Sequence, residues 1–214
     1  MFIELVDVLR CPQVHEESWL VLAATRVDDR AVVAGTLGCP VCHAEYPIVD
    51  GFVRFDGGRQ RITSSGARPD EAEALRLAAL LNLSDPRGYA VLVGANAIQG
   101  PLVATMTDVQ LLLVDPPAGI GLGFGLSGLT TPADMPMLPL APASARGIAL
   151  DQAVTPELAR AAVAILRPGG RLLAPAWLDV PPGLSELARD ASAWVAERAA
   201  ATVPSQVIRL ERHR

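Results

Sequence analysis

The sequence contains no lysine, only three cysteines and three histidines among its 214 residues, and no uncharged apolar run of about 18 residues. The last of these excludes a membrane-spanning helix. The opening Met1-Phe2-Ile3-Glu4 lacks the basic start and apolar core of a signal peptide, so a soluble, cytoplasmic protein with no membrane association is expected. The lack of lysine reads as the coding bias of a GC-rich genome rather than a functional device. Three cysteines, Cys11, Cys39 and Cys42, are too few and too oddly numbered for a disulfide framework, and favour a metal in a reducing compartment. With His15 and His43 close to those cysteines and His213 near the far end, no Ser-His-acid or Cys-His nucleophilic set can be assembled elsewhere.

What is present is ample for a core, half of the residues being hydrophobic. The formal charge of -5 is unevenly placed: residues 1–57 carry nine Asp/Glu against four Arg, and residues 58–214 carry fourteen of each. A nucleic-acid partner is disfavoured by that acidic N-terminal part, because phosphate binding draws most of its affinity from basic side chains.

Leu5, Val8 and Leu9 stand at helical spacing and run directly into Cys11-Pro12. Three strand-like runs follow, at 19–25, 30–36 and 45–55, with turn signals at Asp28-Asp29 and Asp50-Gly51. Such a module has a meagre core of its own, and a structural metal is the usual remedy. Zinc in a structural site takes four N or S ligands in a tetrahedron. Cys11, His15, Cys39 and Cys42 supply four, with His43 competing for the fourth place.

The residues Leu9-Arg10-Cys11-Pro12 and Cys39-Pro40-Val41-Cys42-His43-Ala44-Glu45-Tyr46-Pro47-Ile48-Val49-Asp50-Gly51 resemble the zinc-ribbon family of the tRNA and rRNA methyltransferase activator subunit. The resemblance covers about the first 56 residues. In that family the first ligand pair is usually Cys-Pro-x-Cys, which places its second cysteine at Val14 here, one residue before His15. The resemblance implies a structural Zn2+ and a module that supports a methyltransferase.

Residues 57–69 are polar and glycine-rich and read as a linker between a zinc-ribbon domain, 1–56, and a second domain, 70–214. Pro69-Asp70-Glu71 opens a helix, and strand-like and helix-like runs then alternate, which argues for an α/β fold with a mostly parallel sheet and flanking helices. The pattern predicts strands at 89–93, 110–114, 147–150 and 171–175, and helices at 101–107 and 156–166. It further predicts a helix over 185–200 and a last strand over 206–210, with Gly119 to Leu129 as an apolar loop.

In Rossmann-like folds glycine after the first strand lets the backbone approach the ligand, and an acid ending the second strand accepts ribose hydroxyls. Gly94 and Asp115, 21 residues apart, hold those places. The blocks Val91-Leu92-Val93-Gly94, Leu113-Val114-Asp115, Ala133-Asp134-Met135-Pro136 and Leu166-Arg167-Pro168-Gly169-Gly170 resemble class I S-adenosylmethionine-dependent methyltransferases. The resemblance implies S-adenosylmethionine as cofactor, with Gly94, Asp115 and Asp134 beside it, and a sheet closed by an antiparallel hairpin.

Against that pattern Asn96 and Ile98 stand where glycines belong. Leu92 replaces the acid that contacts the methionine amino group, a hydrogen bond worth roughly 1.5–3 kcal/mol. Past Trp177 a single strand-like run is evident. Asp151-Gln152 lies where catalytic groups often project, and a helix N-terminal acid explains it as well. Gly123-Phe124-Gly125-Leu126-Ser127-Gly128 satisfies Gly-x-Gly-x-x-Gly without following a strand or opening a helix. The resulting expectation is a non-catalytic, regulatory or partner-binding protein, joined to another protein or to its own copies. The alternative is an active methyltransferase on a small molecule or RNA.

Overall fold

A computed structural model describes residues 1–57, 68–133 and 135–199. After a 3-10 helix at Ile3–Asp7 come four strands, β1 (Val21–Asp28), β2 (Ala31–Gly38), β3 (Glu45–Val49) and β4 (Phe52–Arg54), each antiparallel to the one before. Asp50 and Gly51, both at positive φ (50° and 79°), make the two-residue turn between β3 and β4, where the twist of the strands demands such a pair.

The helix α1 (Glu71–Leu80) starts where the sequence places it, with Asp70 Oδ1 accepting from Glu73 N at 2.9 Å. Then follow β5 (Tyr89–Val93), a 3-10 helix at Gly94–Gln99, α2 (Gly100–Met106), β6 (Gln110–Val114), β7 (Leu126–Thr130) and β8 (Ala145–Ala149). Thr155 caps α3 (Pro156–Ile165), which feeds β9 (Leu166–Pro175). The Arg167-Pro168-Gly169-Gly170 turn is an outward bulge within β9, because Ala145 and Gly147 of β8 pair with Leu166 and Arg171 on either side of it.

Two expectations fail at the C-terminal end and in the middle. Residues 184–198 are not helical but form a hairpin, β10 (Leu184–Arg189) and β11 (Ala193–Arg198), with β11 antiparallel to β9. The segment is rich in Ala, Leu, Glu and Arg, strong helix formers, and tertiary pairing with β9 overrides that preference. Alternate residues of β11 face opposite sides of the sheet, Trp194 and Ala196 one way and Val195 the other. The shortened sheet read from the sequence is therefore complete, closed by the antiparallel hairpin. The apolar loop expected over Gly119 to Leu129 ends instead in β7, where Leu126 and Leu129 are buried. The expected strand at 206–210, Asp134 and residues 58–67 of the linker lie outside the described residues.

Among the described residues the eleven strands form one sheet in the order β1-β2-β3-β4-β7-β6-β5-β8-β9-β11-β10, parallel from β4 through β9. The fold is thus a mixed α/β, Rossmann-like sheet with few flanking helices. One face carries a core of Val91, Leu112, Ile148 and Trp194 under α3, and the other a core of Leu92, Leu111 and Leu113 under α1 and α2. Burial on both faces explains why the central strands read as continuous apolar runs.

The N-terminal strands join the rest through β4, which pairs in parallel with β7. Phe2 N donates to Ser127 Oγ at 2.7 Å, Arg10 N to Pro139 O at 2.9 Å and Ala141 N to Val8 O at 2.7 Å. Leu5, Leu9, Leu37 and Val53 belong to the same buried cluster as Val91 and Leu112. Among the described residues no helix is long and apolar enough to cross a membrane.

Candidate functional site

Two places carry chemistry. The first lies where β2 ends at Gly38. Cys39 begins a tight turn in which its N–H donates to Ala44 O (2.9 Å) and its carbonyl accepts from His43 N (3.0 Å), with His43 at φ 59°. That turn carries Cys42 back beside Cys39. On the facing segment Cys11 N donates to Ser18 O (3.0 Å), closing the loop that holds His15.

The ligand atoms of Cys11, His15, Cys39 and Cys42 all lie within 4.8 Å of one another, and His43 is not among them. Cys11 Sγ is 3.7 Å from Cys42 Sγ, and Cys39 Sγ is 3.4 Å from His15 Nε2. Tetrahedral zinc with Zn–S near 2.3 Å and Zn–N near 2.0 Å requires edges of about 3.8 Å (S to S) and about 3.5 Å (S to N), so the donor set fits.

The surroundings prepare the same fit. His15 Nδ1 lies 2.5 Å from Glu16 O, which turns Nε2 toward the sulfurs. Tyr46 OH stands 3.5 Å from Cys11 Sγ, and its ring packs on Phe55 at 4.7 Å. Burial pushes the Cys11 thiol up to about 11. Burial also opposes ionisation of Cys39, but the N–H groups of Cys42 and Val41 and the thiols of Cys42 and Cys11 outweigh it and draw Cys39 down to about 6. Those contacts favour the thiolate form of Cys39, the form a metal binds.

The second place is the crevice between the C-terminal ends of β5 and β8, where the strand order reverses and Rossmann-like sheets bind their ligands. Gly94 has φ 57°. Asp151, two places after β8, lays its carboxylate on that glycine, so that a Cβ at position 94 would overlap Asp151 Oδ2. Oδ2 accepts from Ala95 N at 3.0 Å and Oδ1 from Ala153 N at 3.1 Å. The alternative of Asp151 as a helix N-terminal acid does not hold, since α3 begins at Pro156 with Thr155 as its cap. Leu92 is fully buried in the core beneath α1 and α2, and Ala97 and Ile98 are buried as the 3-10 turn leads into α2. Asn96 is half-buried.

Asp115 ends β6 at φ 47° with its carboxylate engaged by Thr131, from N at 2.8 Å to Oδ1 and from Oγ1 at 2.5 Å to Oδ2. Beside it, at the ends of β4, β6 and β7, Phe52, Arg54, Asp56, Pro116 and Thr130 help to line a cavity of about 130 Å³. Sites for cofactor-sized ligands begin at about 300 Å³. Gly128, the last glycine of the Gly-x-Gly-x-x-Gly match, lies within β7, so that match forms no phosphate cradle. The residues at the β5–β8 crevice do not fit S-adenosylmethionine: the close approach at Gly94 is used by Asp151, and no acid stands at position 92.

No protein-family model matches the sequence, and none of the curated proteins compared with it matches. Solved structures do. The chain is similar to phosphoethanolamine N-methyltransferase 2 of Haemonchus contortus, solved with S-adenosyl-L-methionine, at 14% identity over 79% of this chain and 46% of that one, with a TM-score of 0.41. It is also similar to geranyl diphosphate C-methyltransferase of Streptomyces coelicolor A3(2), at 16% identity over 49% and 42% of the two chains, with a TM-score of 0.38. A third is the antibiotic-resistance methyltransferase Kmr, at 16% identity over 66% and 98%, with a TM-score of 0.37. The chain spans less than half the length of the first two.

Sequence reasoning thus found all four members of the Cys/His cluster, which the fold brings together, and named Gly94 and Asp115, which lie at the ends of neighbouring strands. It missed the contact between Asp151 and Gly94. The sequence around Gly94 signals room for a ligand, and nothing local says that a residue 57 positions later takes that room.

Proposed function

We propose that this chain is a zinc-holding, methyltransferase-like scaffold of the cytoplasm that transfers no methyl group and works by binding a protein partner or a second copy of itself. The observation that supports this most is the Asp151 carboxylate seated on Gly94, where a cofactor's methionine end would approach. The buried Leu92 adds to it, since no carboxylate is left there to receive an ammonium group. Cys11, His15, Cys39 and Cys42 would hold a structural Zn2+ with no open coordination position.

For the partner surface, the reading draws on β1, an edge strand with Val21 and Val27 exposed, and on the shallow groove formed by Val21, Ala23, Thr36, Gly38, Pro40 and Glu45. Unpaired N–H and C=O groups along such an edge accept another strand.

Calorimetric titration with S-adenosylmethionine tests the reading. No binding is expected. Micromolar binding that disappears in Asp115→Ala would overturn it in favour of the second reading, an active methyltransferase. What favours that second reading is the complete antiparallel hairpin at β10 and β11, together with Asp115 at the end of β6.

A further inference from the structure

At the crevice between β5 and β8 the Asp151 carboxylate lies against Gly94. Three facts describe the contact. The carboxylate of Asp151 occupies the space over Gly94 that any side chain there would need. Both of its oxygens are committed to backbone N–H groups, one on each wall of the crevice, Ala95 after β5 and Ala153 after β8. The residue sits two places beyond the last β8 residue, Ala149, with the intervening Leu150 N donating to Leu173 O (2.9 Å), so the backbone that carries it is fixed to β9.

We infer that Asp151 is an internal occupant of the ligand crevice, an autoinhibitory contact that keeps an adenosyl amino-acid cofactor out. The inference rests on the non-catalytic reading above and gives that reading its cause. The glycine is retained because the chain's own carboxylate presses against it. A ligand has to displace a side chain that already satisfies Ala95 N and is itself satisfied twice. Since the occupant is neither a mobile loop nor a separate segment, the closure does not depend on a conformational change elsewhere.

A carboxylate at this spot differs from the missing acid at position 92 in one respect that matters. Position 92 is buried in the core beneath α1 and α2, whereas Asp151 lies against Gly94 itself. Shortening Asp151 should therefore gain binding, and a residue that recruits the cofactor would lose it. The direction of the change separates the two roles.

The experiment compares the whole chain with Asp151→Ala, Asp151→Ser and Asp151→Asn, titrating S-adenosylmethionine and S-adenosylhomocysteine by calorimetry, with thermal melting to verify folding. Asp151→Ala should bind at least one of the two tenfold or more tighter than the unaltered chain. Asp151→Ser, which is short yet can still accept from Ala153 N, should show the same gain and stands in if the alanine variant does not fold. Asp151→Asn keeps the volume but can accept from only one of Ala95 N and Ala153 N, its NH2 facing the other N–H, so its gain should fall below that of Asp151→Ala. A folded alanine or serine variant with no gain overturns the inference. Micromolar binding by the unaltered chain overturns the non-catalytic reading as well. Silence in every variant overturns this inference alone.

Discussion

Phe52 lies across Gly128. The ring of the first residue of β4 covers the bare Cα of its partner in β7, and a Cβ there would collide with three of its ring carbons. This contact opens the three-residue parallel ladder by which the N-terminal strands extend the α/β sheet. A methyl group at 128 must push the ring away or part the strands. Gly128→Ala should cost about 1–3 kcal/mol, read from the urea midpoint. In a Phe52→Ala background the same substitution should cost close to nothing, because the space is free. Equal costs in both backgrounds would mean that the ring does not hold the join.

The contrast between what the residues announced and what they concealed follows from distance along the chain. Cys39 and Cys42 announce themselves because a two-residue spacing on one turn is a local signal, and Gly94 does so because it follows an apolar run. The β10–β11 hairpin was hidden because its residues favour helix locally and are made into strands by β9, far back in the chain. One signal was available. Asp190 Oδ1 accepts from Ser192 N (2.7 Å), Ser192 Oγ (2.7 Å) and Ala193 N (2.8 Å), an Asx turn that breaks the segment in two. Trp194, 1% exposed with Nε1 donating to Leu178 O at 2.7 Å, shows how firmly the second half is then fixed. The join between β4 and β7 was equally illegible, since a strand of three residues opposite one containing Ser127 and Gly128 has no apolar pattern of its own.

Arg146 holds the opposite end of β8 by a means no hydrophobic count reveals. Its guanidinium is buried, at 5% exposure, and donates to the carbonyls of Asn82 (2.6 Å), Arg87 (3.2 Å) and Asp85. A planar fork can satisfy three carbonyls of one loop at once, and an ammonium group cannot reach them in the same geometry. Burial lowers the pKa of Arg146, and the carbonyl oxygens supply the compensation that a carboxylate usually gives. Arg146→Lys should therefore destabilise by about 1.5–3 kcal/mol, the worth of one charge-assisted hydrogen bond, and thermal melting measures it. An unchanged melting temperature would show that the loop from Asn82 to Arg87 holds itself.

The Cys/His cluster leads to the last expectation, which concerns both composition and cooperativity. If the cluster holds zinc, elemental analysis of the purified chain should find about one zinc per chain. His15→Ala and Cys39→Ser should lose it, because each removes one of four converging donors, while His43→Ala should keep it. Retention in His15→Ala with loss in His43→Ala would move the fourth ligand to the other histidine. Chelation should not release an independently unfolding N-terminal unit. Cys39, Leu37, Tyr46 and Val53 share one buried cluster with Val91, Leu112 and Ile148, so the metal's contribution is spread over the whole sheet. Calorimetry after chelation should accordingly show one transition at a lower temperature. Two separated transitions would mean that the N-terminal strands and the α/β sheet fold apart despite their common core.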